Sequence, residues 1–101
     1  MKNNIIVKTH YSIKSTKSFN KQLKKLHRQE KNINRLKNVI EMLANGDTLN
    51  IKYKNHKLIN DKYYKNCYEC HIESDWLLIY KYEKEELILI ATGSHSEMFV
   101  K

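Results

Sequence analysis

The sequence predicts an α+β domain: a small antiparallel-dominated sheet with an αα-hairpin packed on one face. Two observations carry this expectation. Between Phe19 and Leu43 the apolar residues recur every three or four positions, the spacing of helices with one buried stripe. From Cys67 onward, short segments rich in β-branched, aromatic and other apolar residues alternate with turn residues, as strands do. At 101 residues the chain has room for a single domain, 1–101, and for no second core.

The elements follow in order. Residues 4–9 (Asn-Ile-Ile-Val-Lys-Thr) are short and β-branched and predict a strand. Ser15, Thr16 or Ser18 can cap a helix in which Phe19, Leu23 and Leu26 form the apolar stripe, with Lys21, Lys24, Lys25 and Arg28 around it. A second helix runs from about Asn32, with Ile33, Leu36, Ile40 and Leu43 on its buried side and Gly46 where a helix C-cap belongs. Residues 49–53 alternate and predict a strand, and the lysine-rich stretch Lys54 to Lys65 predicts a loop. Strands are expected at 67–73, at Trp76–Tyr82 and from Leu87 to Ala91, with a tight turn at Glu83-Lys84-Glu85 and a stop at Thr92-Gly93. The order is β-α-α-β-β-β(-β). Consecutive strands joined by tight turns are antiparallel. The helix pair must cover one sheet face, because its apolar stripes need a surface, and this leaves the other face for function.

Charge narrows the function. Residues 1–65 hold sixteen Lys and Arg against four Asp and Glu, net +12, whereas residues 66–101 hold three against seven, net −4. A basic excess of this kind suits a polyanion, although a lysine-rich genome produces the same composition. No apolar run approaches the roughly 20 residues of a membrane span. No signal peptide opens the chain, so a cytoplasmic location is expected. With no proline and two glycines, collagenous, linker-like and glycine-loop phosphate-binding designs are excluded.

Cys67-Tyr-Glu-Cys70-His71 fits the C-x-x-C-H pattern of haem attachment. In a strand, however, residues three apart point to opposite faces, which argues against haem, disulfide or shared zinc. Two reduced cysteines are expected, with Cys70 in the core beside Tyr68 and Ile72. No cofactor and no metal are implied.

The histidines carry more. His10 and His27 carry no functional signal. His56 lies in the basic loop, His71 shares a strand face with Glu69 and Glu73, His95 follows a strand exit, and Asp75 precedes Trp76 at a turn. Imidazoles near neutrality share acid and base roles. Together with the basic charge they suit RNA cleavage. There the 2′-hydroxyl is the nucleophile, one group takes its proton and another protonates the leaving 5′-oxygen.

Glu69-Cys-His-Ile-Glu-Ser-Asp-Trp-Leu-Leu-Ile-Tyr80, Thr92-Gly-Ser-His-Ser-Glu-Met-Phe99 and Tyr53-Lys-Asn-His-Lys-Leu58 resemble the YafQ-like branch of the RelE/ParE superfamily. These are mRNA-cleaving toxins of bacterial type II toxin–antitoxin systems. The resemblance covers about residues 50–99 and fits the β-α-α start in order. It implies a RelE-like fold and metal-independent cleavage of mRNA in the ribosomal A site, yielding a 2′,3′-cyclic phosphate and a 5′-hydroxyl. It implies partners as well: mRNA, the ribosome and a small RelB/DinJ-like antitoxin in a hetero-oligomeric complex, with no membrane. By resemblance the catalytic residues are His56, His71, Asp75 and His95, with His95 paired to Asp75 or His56 for proton transfer. Trp76 and Phe99 stack on bases or frame the pocket, core packing being the alternative for Trp76.

Two positions depart from the family. Tyr68 and Ala91 stand where relatives commonly carry arginine, and Arg28 and Arg35 are the only arginines here. Either Lys54, Lys57 or Lys65 contacts the RNA phosphate as a point charge, or activity is weakened. The second outcome would leave an attenuated homologue that binds antitoxin and RNA or ribosome.

Overall fold

In the computed structural model, which describes residues 10–99, the elements are β1 (Ser12–Ser15), α1 (Lys17–Arg28), α2 (Ile33–Ala44), β2 (His56–Lys57), β3 (Tyr68–Glu73), β4 (Trp76–Glu83), β5 (Glu86–Gly93) and α3 (His95–Phe99). The strand expected at 4–9 lies outside the described residues. Five strands form one sheet in the order β1-β5-β4-β3-β2. Only the β1–β5 pair is parallel; the others are antiparallel.

Local chemistry sets the helix ends. Thr16 caps α1: its hydroxyl accepts from the Phe19 N–H at 3.0 Å and donates to the Ile90 carbonyl at 2.7 Å, tying the cap to β5. Gly46, at φ 80°, closes α2. Its N–H bonds the Leu43 carbonyl and the Asp47 N–H bonds that of Met42, a Schellman turn.

The hairpin buries Phe19, Leu26, Leu36, Val39 and Leu43 against Cys70, Ile72, Trp76, Leu78, Tyr80, Leu87 and Leu89. This is the main core, as the apolar periodicity predicts. Cys70 lies in it beside Ile72 and Tyr68, and Cys67 faces the other way; both are buried free thiols. The opposite sheet face is not bare. A second cluster of Cys67, Leu77, Ile79 and Ala91 is closed by Met98 of α3.

Two bulges assign residues to these faces. A register shift between Ile79 and Tyr80 lets Ala91 join the second cluster, although Leu87 and Leu89 of the same strand face the hairpin. A second shift, between His71 and Glu73, ends the alternation of β3. Glu73 therefore does not share the face of Glu69 and His71. It lies 3.7 Å from Arg35 of α2.

The strand expected at 49–53 is a 3-10 turn, Ile51–Tyr53, and strand pairing begins only at His56. The alternation of Leu49, Ile51 and Tyr53 does not report burial, since Ile51 is 90% exposed. The Asn50 side chain instead accepts from the Lys52 N–H at 2.9 Å and turns the chain.

Candidate active site

The site occupies the sheet face opposite the helical hairpin, beside the second apolar cluster. Its centre is Glu69 on β3, 4% exposed. Glu69 is opposite His56 in the β2–β3 register, and alternation along β3 puts His71 on the same face. His95 comes from the far side of the sheet, on the first residue of α3.

All three imidazoles meet the Glu69 carboxylate. His56 Nε2 lies 3.3 Å from Oε1, while His95 Nε2 and His71 Nε2 lie 3.5 and 3.7 Å from Oε2. The His71 and His95 rings meet edge to face at 5.9 Å. Glu69 Oε2 is buried without a hydrogen bond, so these ring contacts are its principal compensation.

Hydrogen-bond partners restrict the rings further. His56 Nδ1 lies 2.9 Å from the Lys54 carbonyl, which only accepts, so Nδ1 carries the hydrogen. Only the doubly protonated ring then donates to Glu69 as well. His95 lies between two carboxylates, with its Nδ1 3.7 Å from Asp75 Oδ1. The same oxygen accepts from the His95 backbone N–H at 3.1 Å, so Asp75 holds both the main chain and the ring.

α3 holds His95 in place through a capping box. The Ser94 hydroxyl accepts from the Glu97 N–H at 3.2 Å, and Glu97 Oε1 accepts from the Ser94 N–H at 2.8 Å. Glu97 also pairs with Lys25 of α1. The Lys25 ammonium and the Ser94 N–H hold the Glu97 carboxyl below its ordinary value. Phe99 ends the helix with its ring 5.6 Å from His95 and edge-on to Tyr64. The Tyr64 hydroxyl donates to the Met98 carbonyl at 3.0 Å, and burial raises its pKa.

The structure thus brings His56, His71, Asp75 and His95 together, with Phe99 on the rim. The cations divide. Lys54 lines a cavity adjoining His71. Lys57 and Lys65 instead line a separate hollow formed by the 57–66 loop. Trp76 is corrected outright as a base-stacking residue. It is 2% exposed in the hairpin-side core, and its indole N–H donates to the Thr92 hydroxyl at 3.0 Å. The ring has no surface to offer a base. Burial pushes the Cys70 thiol up to about 12 and raises that of Cys67, so neither is a nucleophile.

Glu69 is the residue that sequence reasoning missed as part of the site. The signal was present: in Cys67-Tyr-Glu-Cys-His71, Glu69 shares a strand face with His71, and a carboxylate in a buried strand needs a partner. Neither arginine-replacing position reaches the cluster. Tyr68 stacks on Tyr80 at 5.6 Å on the hairpin side, and Ala91 lies beneath Met98.

The family model describing the bacterial toxin of type II toxin–antitoxin systems, YafQ, matches residues 11–100. The chain is 34% identical over 82 residues to the mRNA interferase toxin YafQ of Escherichia coli strain B / BL21-DE3, over 80% of this chain and 87% of that protein. Its fold matches the E. coli DinJ–YafQ complex with a TM-score of 0.80 and 32% identity, covering 88% of this chain and 98% of that one. It also matches a copper-bound mutant toxin from Helicobacter pylori with a TM-score of 0.83 and 36% identity, covering 88% and 99% of the two chains. Among the residues described here, no group of three or more His, Cys, Asp or Glu side chains is arranged to hold a metal ion.

Proposed function

The chain belongs to the YafQ family of bacterial type II toxin–antitoxin toxins, and from that premise we propose that it is an endoribonuclease that cleaves mRNA. One observation carries the proposal: three imidazoles converge on a single buried carboxylate, and a second carboxylate holds one of them. Such a set moves two protons without further help. One ring takes the proton of the RNA 2′-hydroxyl, and the 2′-oxygen attacks the adjacent phosphorus. The bond from phosphorus to the 5′-oxygen breaks, and a protonated ring supplies that oxygen with its hydrogen. The products are a 2′,3′-cyclic phosphate and a 5′-hydroxyl. His95, with His56 as its counterpart, carries the transfer, and His71 and Glu69 hold the charge between them.

The relative named an mRNA interferase supports mRNA as substrate. The solved complex of YafQ with DinJ supports a small antitoxin of the RelB/DinJ kind as partner, in a hetero-oligomer. Cleavage in the ribosomal A site and a cytoplasmic location belong to the same reading. Among the described residues no helix is long and apolar enough to cross a membrane.

A second reading has one observation in its favour: no guanidinium stands at positions 68 or 91. On that reading the chain binds antitoxin and ribosome but cleaves poorly. Primer extension on a translated mRNA separates the two, with wild type beside His95→Ala. New 5′ ends with the wild type, reduced about 10²- to 10⁴-fold by the substitution, are expected for the nuclease. No new ends with the wild type would leave the binding module.

A further inference from the structure

We propose that the cavity between α2 and the turn preceding β2 is a subsite for an RNA phosphate flanking the scissile one, with Arg35, Lys52 and Lys54 as its cations. The inference rests on the endoribonuclease reading and extends its site around the edge of the sheet. The cavity measures about 340 Å³ and is lined by Arg35, Lys52, Tyr53, Lys54, His71 and Glu73 among others. That volume lies at the lower end of the range for small-ligand pockets and suits one nucleotide unit.

Position decides what fills it. His71 lines the cavity, and its ring also meets Glu69 in the histidine cluster. Lys54 lines the cavity with its residue while its carbonyl accepts from His56 Nδ1. A strand of RNA whose reacting phosphate meets the imidazoles therefore brings a neighbouring phosphate to this opening.

Charge decides the chemistry. Three basic residues, Arg35, Lys52 and Lys54, and one acidic residue, Glu73, line the cavity. The contact of Glu73 with Arg35 is a single 3.7 Å approach to Nε, longer than a hydrogen bond. The Arg35 side chain is more than half exposed, so its guanidinium is open to a better acceptor. A phosphate accepts two parallel N–H bonds from such a fork, which an ammonium cannot offer. Arg35 thereby offers a guanidinium beside His71 in a chain that carries none at positions 68 and 91.

The test uses the whole chain and ribosomes programmed with a defined mRNA, with cleavage followed at increasing toxin concentration. Arg35→Gln is expected to raise the half-saturating concentration about five- to tenfold, to lower the salt slope by about one ion and to leave the plateau rate within about twofold. Glu73→Gln is expected to move the half-saturating concentration the other way, because it removes the competing carboxylate. A merely structural ion pair predicts no such opposition, since breaking it from either end costs the same. Thermal melting of both variants checks that the fold is retained. Wild-type cleavage with both variants unchanged, or shifted in the same direction, overturns the subsite alone. Absence of cleavage by the wild type overturns the nuclease reading and the subsite with it.

Discussion

Burying a carboxylate on an inner strand costs several kcal/mol unless cations or donors face it. Glu69 meets that condition with three rings drawn from three different elements, and its Oε2 accepts no hydrogen bond. Such an arrangement is costly for folding and useful for catalysis, because it holds imidazoles near a fixed negative charge. Glu69→Gln keeps the shape and removes the charge. Cleavage is expected to fall by about 10²-fold or more, with the melting temperature unchanged or raised. Cleavage at the wild-type rate, read by primer extension, would remove Glu69 from the mechanism. The placement of the individual histidines was legible in the sequence: His56 in a basic loop, His71 on a strand face with Glu69, and His95 after a strand exit. Their meeting point was not. It depends on the cross-strand pairing of His56 with Glu69 and on a helix that carries His95 back over the sheet, both non-local.

At the scale of elements, the five-residue helix α3 matters beyond its length, because it carries both His95 and Phe99. It starts from Gly93 at φ 155°, a conformation other residues rarely adopt, and a Cβ there would stand 2.7 Å from Glu97 Oε1. Glu97 then closes the capping box and pairs with Lys25 on the opposite layer. Glu97→Gln retains the acceptor for the Ser94 N–H but loses the charge. The folded-state pKa of Glu97 is depressed, so its stabilisation is present above the ordinary value of 4.5 and is lost as pH falls through the folded value. The variant is therefore expected to melt slightly below wild type at pH 7, with the gap closing in the acid range. A gap that persists in acid would assign the effect to packing. The Glu97 side chain is 39% exposed, so the difference is small. The long strands and the two hairpin helices were legible because their periodicity and their burial agree, whereas the short α3 was not foreseen. β1 was not, since Ser12–Ser15 is exposed along its length and forms through parallel pairing with β5. The 49–53 stretch misled for the opposite reason, showing alternation without burial.

Across the whole molecule, the basic excess divides between the outer face of the helical hairpin and the cavity beside His71. Lys21 and Lys24 are exposed on α1, whose apolar stripe packs on the hairpin face of the sheet, whereas the histidine cluster lies on the other face. The hairpin layer reaches the α3 end of the sheet only through Lys25, which is paired with Glu97. The exposed Lys21 and Lys24 are expected to act through their field as a polyanion approaches, rather than at the histidine cluster. Net charge alone fits a polyanion partner and a lysine-rich composition equally well; the layering separates the cations beside His71 from those on α1. Replacing both Lys21 and Lys24 by Gln is expected to raise the half-saturating concentration on programmed ribosomes severalfold at low salt. That effect should fade as salt rises and the Debye length shrinks, while the plateau rate stays at its wild-type level throughout. A lowered plateau rate would place the hairpin lysines in contact with the reacting strand and overturn the division between an approach surface and a catalytic face.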